Sequence, residues 1–438
     1  MRTLAVASLR TRIPAFTAHF LSVFCGAVLI GAFATLVSAA GGDIPDADSQ
    51  RLITMGAVMG GWGTLIVLFS VASTLTLVIG QRTHESALLR SVGATGQQIR
   101  RLVLIEASLV TVTAVLLALV PAGLVGDRIL ALMRDVGMLS AGVTGHGQLP
   151  ALLAGSAVIV VVGYLAGRLA TRRSPGTSPR RVGRLRVAAG ILLVLAGIQA
   201  SVVTVTVMAD DPDPLAPMST AGPGGVLACL GLAVLSPVLL RLATAGFGWV
   251  LRPFGVAGHL ARHDLRARAH VLGAALAPIT VFAGISTGTV YLVAIENRAS
   301  AGLVATREAE DVELLNYVVV GMIALFAAIM VVNTLAAAIA DRRREFGQQR
   351  LAGATRRQIR QTMTLEALFL AVTGIVIGTA GALATVPAFS WARLDRVWPG
   401  VGPGYFLAVA ALALLVTLGA TSVLTRRALR GSALEAVA

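Results

Sequence analysis

The sequence predicts an all-α integral membrane protein with ten transmembrane helices, arranged as two four-helix halves in parallel repeat plus two linking helices. Three observations carry this expectation. Of 438 residues, 56% are apolar and only 13% charged, with a mean hydropathy of +0.82. A soluble domain carries about a quarter charged residues, so the composition points to lipid as the solvent. Ten stretches of about 20 apolar residues are present, each long enough to cross a bilayer as a helix. A polar segment lying between two such stretches occurs twice, 260 residues apart.

The spans are expected at 16–40, 55–80, 103–125, 150–170, 187–208, 225–247, 271–295, 314–340, 363–389 and 404–425. Their only Asp, Glu or Arg residues are Glu106, Arg168, Arg241 and Glu366. Each lies near one end of its span, where a long side chain snorkels to the interface or a carboxylate reaches water. The first span resembles a signal peptide, but its apolar run of about 25 residues is too long for one, so it is expected to remain as a membrane helix. Cys25 and Cys229 sit inside apolar runs, where a free thiol acts as a small hydrophobe rather than as a disulfide or zinc partner.

All 36 basic residues are arginine and none is lysine. That excludes the phosphate-binding lysine of a P-loop, so the chain is expected to be no enzyme and to carry no ATPase site of its own. With both termini in the cytoplasm, 29 arginines fall inside and 7 outside, while the 21 acids divide as 7 inside and 14 outside. This is the asymmetry that membrane insertion demands. The basic clusters 172–186 and 342–360 are explained by it, which argues against nucleic-acid binding. The outer loops, 43–54, 127–149, 209–224, 296–313 and 391–403, are too short for a folded outer domain. The Arg-only, Ala-rich and Val-rich composition points to a GC-rich bacterial source and a multi-pass cell-membrane protein.

A shift of 260 residues aligns 74–109 with 334–369, matching 14 of 36 positions, among them Arg82, Glu85, Arg90, Gly93, Thr95, Gln98 and Glu106 with Arg342, Glu345, Arg350, Gly353, Thr355, Gln358 and Glu366. Upstream, Ser8 to Arg12 corresponds to Asp264 to Arg268. The expected organisation is therefore a first half at 1–125 with its coupling segment at 81–102, then an outer loop and fourth span at 126–170. A polar linker follows at 171–186, with linking spans at 187–247 and a second half at 248–438 whose coupling segment is 341–362. Repeated units of one orientation imply an axis along the membrane normal.

Each polar segment predicts a short helix, a tight corner and a second helix climbing back into the membrane. Gly93 and Gly353 are placed to end the short helix in the left-handed conformation. Thr95 with Gln98, and Thr355 with Gln358, form T-x-x-Q capping boxes for the next helix. A hairpin needs some turn, but a turn alone does not require the same exposed polar residues twice. Arg82, Glu85 and Arg90, with Arg342, Glu345 and Arg350, are therefore candidate contacts for a docking partner. Leu88 and Leu89 in the first copy, and Gln348 in the second, complete the candidate surface.

These residues resemble the signature of the FtsX-like permeases of ABC transporters, and the doubled arrangement with two linking spans is similar to the ten-span members of that family. The resemblance implies that both segments dock on a separate cytoplasmic ABC ATPase, in two copies per permease, with ATP and Mg on that partner and no cofactor in this chain. It also implies export or membrane extraction of an amphiphilic substrate in contact with membrane lipid. The sequence departs from the family in its short first outer loop, 43–54, where relatives often carry a large domain. The rival readings are a secondary transporter driven by an ion gradient and a non-transporting FtsX-like regulator of signalling or the cell wall. The first predicts a midplane carboxylate, and no span carries an acid near its middle.

Other features read as structural. His259 and His263 have i, i+4 spacing without further ligands. Gly56/Gly60, Gly284/Gly288 and Gly374/Gly378 are small-xxx-small pairs that permit close helix approach. Gln199 and Asn333 are interhelical glue, and Pro278 gives the seventh span a kink that the first span lacks the residue for.

Overall fold

The computed structural model describes residues 13–80, 91–135, 139–140, 142–143, 148–172, 183–210, 216–300, 321, 324–325, 328–336, 338–340 and 342–432. The protein is all-α, with no strand among the described residues. Twelve α-helices are numbered here: α1 Ile13–Ala39, α2 Asp46–Gly80, α3 Gly96–Asp135, α4 Gln148–Arg172, α5 Arg184–Thr206, α6 Ala216–Phe247, α7 Gly255–Ala267, α8 Ala269–Ser300, α9 Arg343–Leu351, α10 Arg356–Ala382, α11 Val386–Leu394 and α12 Gly404–Ala428. A 3-10 turn, Gly248–Phe254, joins α6 to α7. A shorter apolar helix lies at Ala328–Ala340.

The described parts of the expected spans are largely helical, and the eighth, 314–340, is described only at 321, 324–325, 328–336 and 338–340. Among the described residues seven helices are long and apolar enough to cross a membrane, while Leu149–Leu165 and Ala328–Ala340 are apolar but shorter. The ninth span departs from its expected form. It breaks at 383–385 into α10 and α11, because Pro387 in the first turn of α11 has no N–H to continue the ladder. Ser201 on α5 takes up a carbonyl at the break, its Oγ donating to Ala384 O at 2.6 Å.

The residues divide into two compact units, one within 1–178 and 293–326 and the other within 179–292 and 327–438. In the first unit, α1 packs against α2, α3 and α4. It presents Val23, Ala32, Phe33 and Leu36, all essentially without exposure. His19 joins this core through a 3.1 Å hydrogen bond between its Nε2 and Thr111 Oγ1 on α3. On the far side, Asp48 at the start of α2 accepts the Ser140 backbone N–H at 3.0 Å and its hydroxyl at 2.5 Å.

In the second unit, α5 pairs with α6, α10 packs against α6, α7 and α12, and α11 sits against α5 and α6. The small-residue pairs on α8 and α10 meet one another. A Cβ added to Gly284 would lie 2.7 Å from Gly378 O, and one added to Gly378 would lie 2.6 Å from Gly284 N. Only residues without a side chain permit that crossing. α7 buries Ala257, Ala261 and Leu265, one turn apart, and leaves His259, His263 and Arg266 exposed. Its basic face is thus the outer one.

Candidate coupling site

The second polar corner is built from its caps inward. α9 ends in a Schellman arrangement: Ala354 N–H donates to Gln349 O at 2.9 Å and Gly353 N–H to Arg350 O at 3.1 Å. Gly353 has φ +96°, the left-handed region where any Cβ is penalised. Three residues later α10 opens with the full capping box, Thr355 N–H donating to Gln358 Oε1 at 2.9 Å and Gln358 N–H to Thr355 Oγ1 at 3.2 Å. The first corner repeats the geometry. Gly93 has φ +95°, Thr95 N–H donates to Gln98 Oε1 at 2.9 Å, and Gln98 N–H donates to Thr95 Oγ1 at 3.3 Å. Arg82, Glu85, Leu88, Leu89 and Arg90 lie outside the described residues.

Packing then fixes α9 to its surroundings. Phe346, 2% exposed, joins Ile339, Ile359, Met363 and Leu429 in an apolar cluster, so α9 is clamped between α10 and the end of α12. Arg350 is half-buried and donates to Gly431 O at 2.7 Å. Glu345 is half-buried and accepts from Arg268 Nη1 at 2.6 Å. The face left open is Arg344, Gln348 and Leu351, at i, i+4, i+7 on α9, all exposed.

Arg342, expected on the partner-facing surface, turns inward instead. Its side chain is 8% exposed and donates to Glu366 Oε2 at 2.6 Å and to Asp264 Oδ2 at 2.7 Å. Nε lies 3.4 Å from Glu345 Oε2, and the guanidinium lies 5.6 Å from the Phe346 ring centroid. Burial by itself opposes the charge, but Glu366, Asp264 and Glu345 outweigh it and hold Arg342 more firmly protonated than a free arginine. Glu366, expected to reach water, is only 2% exposed and is neutralised by this arginine. Its repeat counterpart Glu106 is fully buried as well. Truncating one member of such a network strands a buried charge, at a cost of about 3–5 kcal/mol.

This network was not read from the sequence as a unit. The signal was present in two places: Arg342 and Glu366 recur in register as Arg82 and Glu106, and the upstream repeat carries Asp264 and Arg268. The structure joins both pieces, tying the ends of α7 and α8 to α9 and α10.

A multi-pass helical protein that builds one polar corner twice, on the same caps, has the form of a permease. The family model FtsX-like permease C-terminal matches residues 57–179 and 317–433, stretches that begin 260 residues apart and together span more than half of the chain. The chain belongs to the FtsX-like permease family, a membrane transport component whose members typically partner with an ABC ATPase. A comparison with curated proteins returns no match.

Proposed function

We propose that this chain is the permease subunit of an ABC transporter, coupling ATP hydrolysis by two copies of a separate cytoplasmic ATPase to export or membrane extraction of an amphiphilic substrate. The observation that carries the reading is the duplicated corner with its matching caps. Two docking elements in one chain fit two ATPase subunits.

In this reading Arg344, Gln348 and Leu351 meet the partner, together with the first-copy positions in the same register, His84, Leu88 and Ser91. Glu345, Arg350 and Arg342 act behind that surface. They transmit rather than dock: Arg342 gathers Asp264, Glu345 and Glu366, so a push on α9 reaches α7, α8 and α10 together. Closing of the ATPase pair would thereby move membrane helices as packed bodies, the kind of shear that interlocked helices allow. The rival ion-gradient mechanism needs a carboxylate able to exchange its cation, whereas Glu366 is held on both oxygens by Arg342.

Purified complex tests the reading. The chain should bind no ATP by itself, and native mass spectrometry should give one permease with two ATPase subunits. A ratio of two permeases per ATPase pair would sink it.

A further inference from the structure

At the arginine-rich end of the second unit, a cleft of about 450 Å³ opens between α10, α12 and the turn leading into α7. Arg357 and Arg360 from α10 and Arg426 from α12 line it, with no carboxylate in its wall. All three arginines are exposed, and none has an ion pair among the described residues. Three guanidiniums held together without a counter-charge repel one another and favour an anion.

A second, independent observation lies deeper in the same cleft. Thr421 and Thr425, one turn apart on α12, line its floor and are each 2% exposed, and their hydroxyls have no hydrogen-bond partner. Other threonines discharge that demand on the carbonyl four residues back: Thr364 bonds Arg360 O at 2.9 Å, Thr379 bonds Ile375 O at 2.7 Å and Thr289 bonds Ile285 O at 2.8 Å. Thr417, one turn before Thr421 and outside the cleft wall, shares the unmet hydroxyl. Where such unmet hydroxyls line a cleft, as at Thr421 and Thr425, they leave two donors for an acceptor to meet. A ligand rich in acceptor oxygens and carrying negative charge satisfies hydroxyls and guanidiniums together. A phosphate group does this.

The cleft is also apolar on one side. Phe254, Ala257 and Leu365 contribute to its wall. Along α10 the same face continues through Leu368, Val372 and Val376, and along α12 through Leu415, all exposed. These stripes run away from the arginines into the membrane-spanning parts of both helices. A soluble phosphate leaves them unused, and so does an acidic surface of a partner protein.

We propose that this cleft binds the phosphate headgroup of an anionic phospholipid, with Arg357, Arg360 and Arg426 neutralising it, Thr421 and Thr425 donating to its oxygens, and the acyl chains lying along α10 and α12. Basic pockets between transmembrane helices on the cytoplasmic side are a recurring form of headgroup site. The placement in the inner leaflet rests on the permease orientation given above, but the binding itself does not require an ATPase.

The test uses the delipidated full chain in detergent, without ATPase, titrated with short-chain phosphatidylglycerol, phosphatidylcholine of the same chains and inorganic phosphate, read by microscale thermophoresis. Phosphatidylglycerol should bind at least tenfold more tightly than phosphatidylcholine, and inorganic phosphate should compete only weakly. Arg357→Gln with Arg426→Gln should lower phosphatidylglycerol affinity tenfold or more. Thr421→Val, which keeps the side-chain volume, should lower it severalfold and carries the test alone should the arginine variant fail to fold. Equal affinity for both lipids, or indifference to these changes, overturns the proposal. Inorganic phosphate binding as tightly as phosphatidylglycerol would make this a free-phosphate site and overturn the lipid assignment. Loss of ATPase co-purification by the same arginine variant in a separate pull-down, with lipid affinity unchanged in the titration, would make it a protein dock and do the same. Because ATPase is absent from the titration, lipid binding can succeed where the permease reading fails, and the reverse.

Discussion

The two polar corners share their backbone devices and differ in what surrounds them. Gly93 and Gly353 have φ values one degree apart, and both following helices open with the same Thr and Gln pair. Away from the corners the halves diverge. α3 runs unbroken from Gly96 to Asp135, while its counterpart stops at Ala382 and restarts at Val386. The second corner also buries Phe346 where the first has Ser86. The repeat keeps the capped corner and varies the helices that pack around it.

The largest expected effect tests whether the buried ion network belongs to both halves. Arg342→Ala should destabilise the protein by about 3–5 kcal/mol, because Glu366 and Asp264 lose a shared counter-charge in a site closed to water. Arg82 and Glu106 occupy the same register, and Glu106 is fully buried. Arg82→Ala should therefore cost as much as Arg342→Ala in thermal unfolding of the detergent-solubilised protein. A negligible loss from Arg82→Ala would confine the network to the second half. The double change Arg342→Met, Glu366→Gln should recover only part of the loss, since it removes the Arg342–Glu366 pair together but leaves Asp264 without its counter-charge.

A smaller effect separates the ends of the two units opposite the corners. In the first unit Asp48 is tied to Ser140; in the second Ser201 holds the broken helix at Ala384. The side chain of Ser140, and then its backbone N–H, keep the Asp48 carboxyl below the usual carboxylate range. A carboxylate depressed in the folded state stabilises above its unfolded pKa of about 4 and loses that contribution as pH falls through the folded value. Stability should therefore drop on acidification below about pH 4. Ser140→Ala should remove about 2 kcal/mol at neutral pH, the worth of a hydrogen bond to a charged group, and should weaken this acid dependence. Ser201→Ala should lower stability without changing the acid dependence.

Much of this was legible in the sequence, and the boundary has a physical cause. Local devices were readable: a glycine after a helix, a Thr and Gln three apart, and glycines four apart specify their own geometry within a few residues. The glycine pairs marked helices able to approach closely, but that Gly284 meets Gly378 is set by the fold. What stayed hidden depended on distant partners. Arg342 is 24 residues from Glu366 and 78 from Asp264, and an acid near a span end reads as water-facing until another helix covers it. The break at 383–385 had a visible cause in Pro387, but the apolar run across it read as one continuous span. Thr421 and Thr425 carry no mark in the sequence. Their missing hydrogen bonds exist only in three dimensions.

The proposed docking surfaces should differ by about a factor of ten. Leu88 and Gln348 hold the same place in the two copies, and Gln348 is exposed on α9. A leucine at a partner interface contributes apolar burial that glutamine lacks, so the first corner should be the tighter dock. Leu88→Gln should raise the ATPase concentration needed for half-maximal permease-stimulated hydrolysis about tenfold, equivalent to about 1.4 kcal/mol. Gln348→Ala should change it little. The reverse order would show that the second corner carries most of the partner contact.

The smallest effect is also the one most sensitive to whether the corners are truly equivalent. At Gly93 and Gly353 an added Cβ would meet no neighbouring atom within 4 Å, so alanine there introduces no clash with its surroundings. The penalty is purely conformational: φ near +95° lies where an L-residue pays about 1 kcal/mol that glycine does not. Gly93→Ala and Gly353→Ala should thus each lower stability by about 1 kcal/mol, and the two losses should add, because each penalty is local to its own backbone. Asparagine, which tolerates the left-handed region better, should recover part of each loss. Hydrogen exchange at Ala354 and its first-half counterpart Ala94 then reads the corners directly, since a Schellman bond from Ala354 N–H to Gln349 O protects that amide. Equal loss of protection at both amides would establish one rigid device used twice. Loss confined to one would show that the other corner is held by its surroundings, with Phe346 and its cluster as the agent in the second half.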